Sequence, residues 1–134
     1  QDGILGDGER PLVDIIAADE QEMTHQGITF EAAAARMRYL MEEGRKGLEE
    51  PVTVDDTWIV RVSEARGFLA SPFEDGIFRK VNCQVQLAPG GESTGDEILF
   101  SELSLHLFEK YHFLEGRGSA FRNEPVKLKK VLKL

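Results

Sequence analysis

A chain of 134 residues, 41% hydrophobic and 8% aromatic, can bury a core of its own and has the composition of an ordinary folded domain. Its net charge of -8 opposes phosphate backbones at long range and so argues against general nucleic-acid binding. Cys83 is the only cysteine, so no disulfide can form within the chain, which fits a reducing, cytoplasmic setting.

Charge is spread unevenly. Residues 1–56 carry 14 acidic and 5 basic side chains, whereas residues 57–134 carry 10 and 11. No stretch approaches the ~18 apolar residues of a membrane span, and no leader pattern is present. The chain opens on Gln1 and closes on Leu134 inside an apolar-basic pattern, which reads as a piece of a larger protein.

Residues 1–10 hold three glycines and little to bury, and read as a flexible arm before a domain spanning 11–134. After Pro11, residues Leu12, Ile15, Ile16, Asp19 and Met23 fall at helical spacing and predict a helix over about 11–24. A second helix is marked more strongly. Thr29 can cap it, Glu31 suits its positive end, and Phe30, Ala33, Ala34, Met37, Leu40 and Met41 form one apolar stripe that stops near Gly44.

Beyond Pro51 the period falls to two. Val52, Val54, Trp58, Val60 and Val62 share a parity, as one strand or as two joined by a bend at Asp55 and Asp56. Val81, Cys83, Val85 and Leu87 alternate with Lys80, Asn82, Gln84 and Gln86 in a further strand, with Cys83 on its dry face. Residues 65–76 between these strands read as a loop carrying Phe68 and Phe73, and residues 88–97 as a Gly-rich connection.

Residues 98–114 fit two periods. Leu103, Leu105, Leu107, Tyr111 and Phe113 alternate as in a strand, whereas Phe100, Leu103, Leu107, Tyr111 and Leu114 follow helical spacing. Length and the scarcity of β-branched residues favour a helix, with Asp96 at its start and Gly116 at its end. The lysine-rich terminus is a short helix or an edge strand. The fold class expected is α+β: N-terminal helices packed on a small antiparallel sheet, with a further helix (or long strand) near 96–115.

Glu102, His106 and Glu109 are the candidates for chemistry, because on a helix i, i+4 and i+7 lie on one face and such groups serve as acid, base or metal ligand. No metal site follows from the histidines: on an extended segment, His106 and His112 would stand roughly 20 Å apart. The Glu-x-x-His pairs Glu22/His25 and Glu109/His112 lack the four long helices of a di-iron bundle. The glycines from Gly90 to Gly95 precede Asp96 and Glu97, which would repel a phosphate.

The segment from Trp58 to Leu87 resembles the opening strands of C2 domains, a likeness that implies binding at a membrane surface. It lacks positions for the calcium-binding aspartates of that family. Helices leading into an antiparallel sheet also look like the cystatin/NTF2-like cone, which implies a small-ligand pocket.

The function expected is a non-enzymatic protein-interaction or assembly module, associating with a protein partner or with itself, that uses charge-segregated surfaces and no cofactor. Its binding residues would be Lys127, Lys129, Lys130, Lys133 and Trp58, with the basic terminus docking on the acidic N-terminal helices of the same or a neighbouring chain. One alternative is an enzyme or ligand binder whose pocket draws on Trp58, Phe68, Phe73 and Phe100, with His106 and Glu109 as acid and base. Another is a membrane-surface binder acting through the C-terminal segment.

Overall fold

The computed structural model describes residues 11–88, 96–115, 119 and 121–134. The arm expected at 1–10 and most of the Gly-rich connection lie outside the described residues. The described chain runs α1 (Leu12–Gln26), α2 (Phe30–Arg45), β1 (Val52–Val54), β2 (Trp58–Ala70), β3 (Ile77–Leu87), β4 (Glu97–Ser101), α3 (Glu102–Tyr111) and α4 (Pro125–Leu132). The strands form one antiparallel sheet in the order β1-β2-β3-β4. This is the α+β arrangement expected: helices precede the sheet and a further helix follows it.

Local chemistry accounts for the element boundaries. Gly27 ends α1 in the left-handed region at φ 78°, and its N–H donates to the Thr24 carbonyl at 2.9 Å. Two residues later the Thr29 hydroxyl accepts from the Ala32 N–H at 3.0 Å and starts α2. Asp55 and Asp56 both adopt positive φ, and Thr57 N–H donates to Val54 O across them at 3.0 Å. Two left-handed residues in succession match the right-handed twist of a tight hairpin, and so divide β1 from β2.

Strand alternation builds the core. Val60, Val62, Val81, Cys83, Val85, Ile98 and Phe100 are buried on one sheet face, against the stripe Ala33, Ala34, Met37, Leu40 and Met41 of α2. Gly44 lets α2 approach closely, since a Cβ there would stand 2.5 Å from Val60 Cγ1. The opposite parity, including Arg61, Gln84 and Gln86, stays half or fully exposed. Burial pushes the Cys83 thiol up to about 12, so it behaves as a small apolar group.

Two expectations are corrected. Residues 65–76 are not one loop. β2 continues to Ala70, with Phe68 opposite Arg79, Leu69 opposite Phe78 and Ala70 opposite Ile77. A bulge between Ala65 and Phe68, with Gly67 at φ 95°, breaks the alternation and hides the strand from a period-two reading. Residues 98–114 are not one helix either. Ile98 and Phe100 belong to β4, while Ser101 caps α3 through a reciprocal box with Ser104: their hydroxyls accept each other's N–H at 2.9 and 2.7 Å. The helix ends at His112, not Gly116, with φ 58°. Both periods read from this segment are real, each over its own part.

Candidate functional site

A satellite cluster lies beside the main core. Leu103, Leu107 and Phe113 are buried there, with Leu12, Ile16, Phe73, Phe78 and Tyr111 packed around them. It joins α1, α3 and the end of the β2–β3 hairpin. The hairpin turn is closed by Ser71, whose N–H donates to Gly76 O at 3.0 Å and whose hydroxyl accepts from Phe73 N–H at 3.1 Å. That closure aims Asp75 at α3.

Asp75 Oδ2 is the focus of the described polar groups. It accepts from Tyr111 Oη at 2.6 Å and His106 Nε2 at 2.8 Å, and it pairs with Lys110 Nζ at 3.2 Å. A carboxylate only accepts, so the shared proton resides on His106 Nε2. The Ser71 hydroxyl, then Tyr111, then His106 and Lys110 hold the Asp75 carboxyl well below the usual carboxylate range. Oδ1 is buried and completes no hydrogen bond of its own. Asp75 in turn raises Lys110 and Tyr111 above their ordinary values. Chemically this is a latch: one anion held by three donors from α3, with the His106 ring on Phe78 at 4.5 Å.

Glu102, His106 and Glu109 do not converge. His106 faces Asp75. Glu102 accepts from the Arg79 N–H at 2.9 Å, and Glu109 pairs with Arg38 of α2 at 2.7 Å. Each side chain is drawn away by a partner brought in by tertiary packing. The Glu-x-x-His pairs separate likewise, because Glu22 accepts from Gln26 whereas His112 meets Glu20 at 2.7 Å. Among the described residues, no group of three His, Cys, Asp or Glu side chains is placed to hold a metal ion.

The basic terminus is an ordered helix. α4 buries Leu128, Val131 and Leu132, so its apolar stripe faces inward. Lys129 Nζ donates to Gln26 O at 2.7 Å, which ties α4 to the end of α1, and Lys130 pairs with Asp96 at 2.8 Å. Lys133 is exposed and takes the left-handed cap at φ 60°; Lys127 is half-buried. Trp58, expected on a binding surface, is instead 6% exposed and donates its indole N–H to Val131 O at 2.7 Å, with Arg36 over its ring. Arg36 also donates to the Leu132 carbonyl. Docking of α4 on α1 and α2 thus rests on apolar burial and on cations that meet backbone carbonyls.

The residues expected to line one pocket are scattered: Trp58 and Phe100 in the core, Phe73 against Tyr111, and Phe68 in solvent. A cavity of about 20 Å³ does lie between α2, α3 and α4, walled by Met37, Phe100, Phe108 and Phe121. That is the space of a single water molecule.

The outer end of the hairpin is different in character. Phe68 is 66% exposed and Ile77 is 71% exposed, and register places both with Ala70 on one face. Arg66 follows Ala65 in the bulge, and Arg79 stands opposite Phe68 on the same face. An apolar patch edged by cations is the product. Period-two alternation does not reveal it, because the bulge between Ala65 and Phe68 breaks the parity of β2. No helix among the described residues is long and apolar enough to cross a membrane. No protein-family model, curated protein or solved structure matches this chain.

Proposed function

We propose that this chain is a non-enzymatic protein-interaction module, and that its docking surface is the outer end of the β2–β3 hairpin. The observation that carries this reading is the exposure of Phe68 and Ile77 on one strand-paired face. Large apolar side chains held rigidly in water, with a polar rim, are the usual mark of a protein contact. Arg66 and Arg79 at the margin favour a partner surface that is apolar and acidic. The Asp75 latch has a supporting role here: it fastens the hairpin turn to α3 and so fixes the strands on which the patch is displayed. The buried lone thiol agrees with a cytoplasmic setting.

Phe68→Asp with Ile77→Asp tests the reading. Both positions are solvent-facing, so circular dichroism and the melting transition should stay close to wild type. Association of the purified chain with any protein, itself included, should be salt-sensitive and lost in the variant. Equal association by wild type and variant at matched salt overturns the assignment.

A further inference from the structure

Along the edge of β2 that faces away from β3, β1 covers only Trp58–Val60. Two shallow grooves flank the rest of β2, one beside its free edge and one over its pairing with β3 at the bulge, and meet at Glu64. One is walled by Arg45, Leu48, Glu49 and Val62. The other is walled by Ala65, Arg66, Gly67, Phe68 and Arg79. The first groove ends in an exposed apolar side chain beside an acid: Leu48 is 84% exposed, at φ 51°, and Glu49 follows at φ 75°. The second ends in Phe68 beside the base Arg66. This stretch of β2 therefore carries an apolar-acidic end and an apolar-basic end, separated by roughly 13 Å from Val62 to Phe68, because the bulge leaves only Cys83 to Arg79 opposite.

We infer that a second copy of this chain occupies these two grooves, in a closed two-fold dimer whose axis passes near Glu64. A two-fold that runs the two copies of β2 antiparallel sets Leu48 and Glu49 of each copy against Phe68 and Arg66 of the other, so both contacts form at once. The parallel arrangement would set Glu49 on Glu49 and Arg66 on Arg66, and like charges reject it. Glu64 would face its own copy near the axis. Its charge is already balanced by Arg45 at 3.7 Å and Arg79 at 3.2 Å within the same chain. The bulge at residues 66–67 bends the strand there, so the contact is made by side chains filling grooves and not by a continued β-ladder. This inference rests on the interaction-module reading and names its partner.

Sedimentation equilibrium of the intact chain at low salt tests it, with wild type, Arg66→Glu, Glu49→Arg, an equimolar mixture of those two variants, and the double variant. Wild type should dimerise, with the dissociation constant rising about tenfold or more in high salt. Each single variant sets like charge on like charge and should sediment as a monomer. The mixture should restore dimers of one chain of each kind, because each altered charge then meets its opposite, and the double variant should dimerise with itself. Glu49 also accepts weakly from the Glu64 N–H at 3.4 Å, so Glu49→Gln separates loss of that bond from loss of charge and should weaken the dimer less than Glu49→Arg. Single variants that dimerise like wild type, a mixture that stays monomeric, or a ladder of larger species overturns the two-fold. A wild type that is monomeric at low salt overturns it as well. In that case the interaction reading still stands if capture of another protein depends on Phe68 and Ile77, and falls if it does not.

Discussion

Arg122 forks onto Asp19: its two terminal nitrogens lie 3.0 and 2.8 Å from the two carboxylate oxygens, and both side chains are nearly buried. The pair fastens α1 to the segment leading into α4. Arg122 also donates to the Glu115 carbonyl at 2.8 Å and to Glu124, and Asp19 is the main reason its guanidinium is held more firmly protonated than usual. Breaking a buried pair from one side strands a charge away from water. Arg122→Ala is therefore expected to lower unfolding free energy by about 3 kcal/mol in urea denaturation, with little dependence on salt.

Glu115, almost fully buried, is raised above the usual carboxylate range by desolvation, with the Ser119 hydroxyl opposing. A carboxyl whose folded pKa exceeds its unfolded value stabilises below the unfolded value, and that contribution is lost as pH rises through the folded one. Glu115→Gln keeps an acceptor for Ser119 and removes the charge. It should raise the melting temperature at neutral pH and leave it nearly unchanged below about pH 4.

Asp75 carries the opposite sign. Its folded pKa is depressed, so its contribution is present above the unfolded value near 3.9 and lost as pH falls through the lower folded one. Asp75→Asn should reduce the loss of stability on acidification below about pH 4. It should also bring Tyr111 back toward its ordinary titration, read by ultraviolet absorbance, and speed amide exchange at residues 71–76. An unchanged Tyr111 titration would contradict the latch.

Gly44→Ala adds a methyl group 2.5 Å from Val60 Cγ1 and 2.8 Å from Val62 Cγ2. Alanine is the better helix former by about 1 kcal/mol. Overpacking between α2 and β2 costs about 1–3 kcal/mol and should prevail, so a net loss of stability is expected in thermal denaturation. Substitution at Gly27 tests a different cause. No atom lies within 4 Å of the new Cβ there, so Gly27→Ala should cost only about 1 kcal/mol, from its positive φ.

Ser101→Ala removes one half of the box that divides β4 from α3. About 1 kcal/mol of stability should be lost. Far-UV circular dichroism should change little, since β4 remains paired with β3 from Asn82 to Gln86.

The amino-acid order alone determined the elements whose signals are local. Thr29 and the Phe30–Met41 stripe marked α2, the Val81–Leu87 alternation marked β3 and its dry cysteine, and the two aspartates at 55 and 56 marked a turn. Periodicity and capping act between neighbours in sequence, so such features can be read without a fold. The place where residues 97–111 change from strand to helix was decided by tertiary structure, because both periods were present and only pairing of Ile98 and Phe100 with β3 assigns each to its segment. The fates of Glu102, His106 and Glu109 were settled in the same way, by Arg79, Asp75 and Arg38 arriving from distant elements. Spacing can place three side chains on one face of a helix. Which neighbour each one meets depends on the Coulomb and hydrogen-bond partners that packing brings near, and those lie far away in the chain.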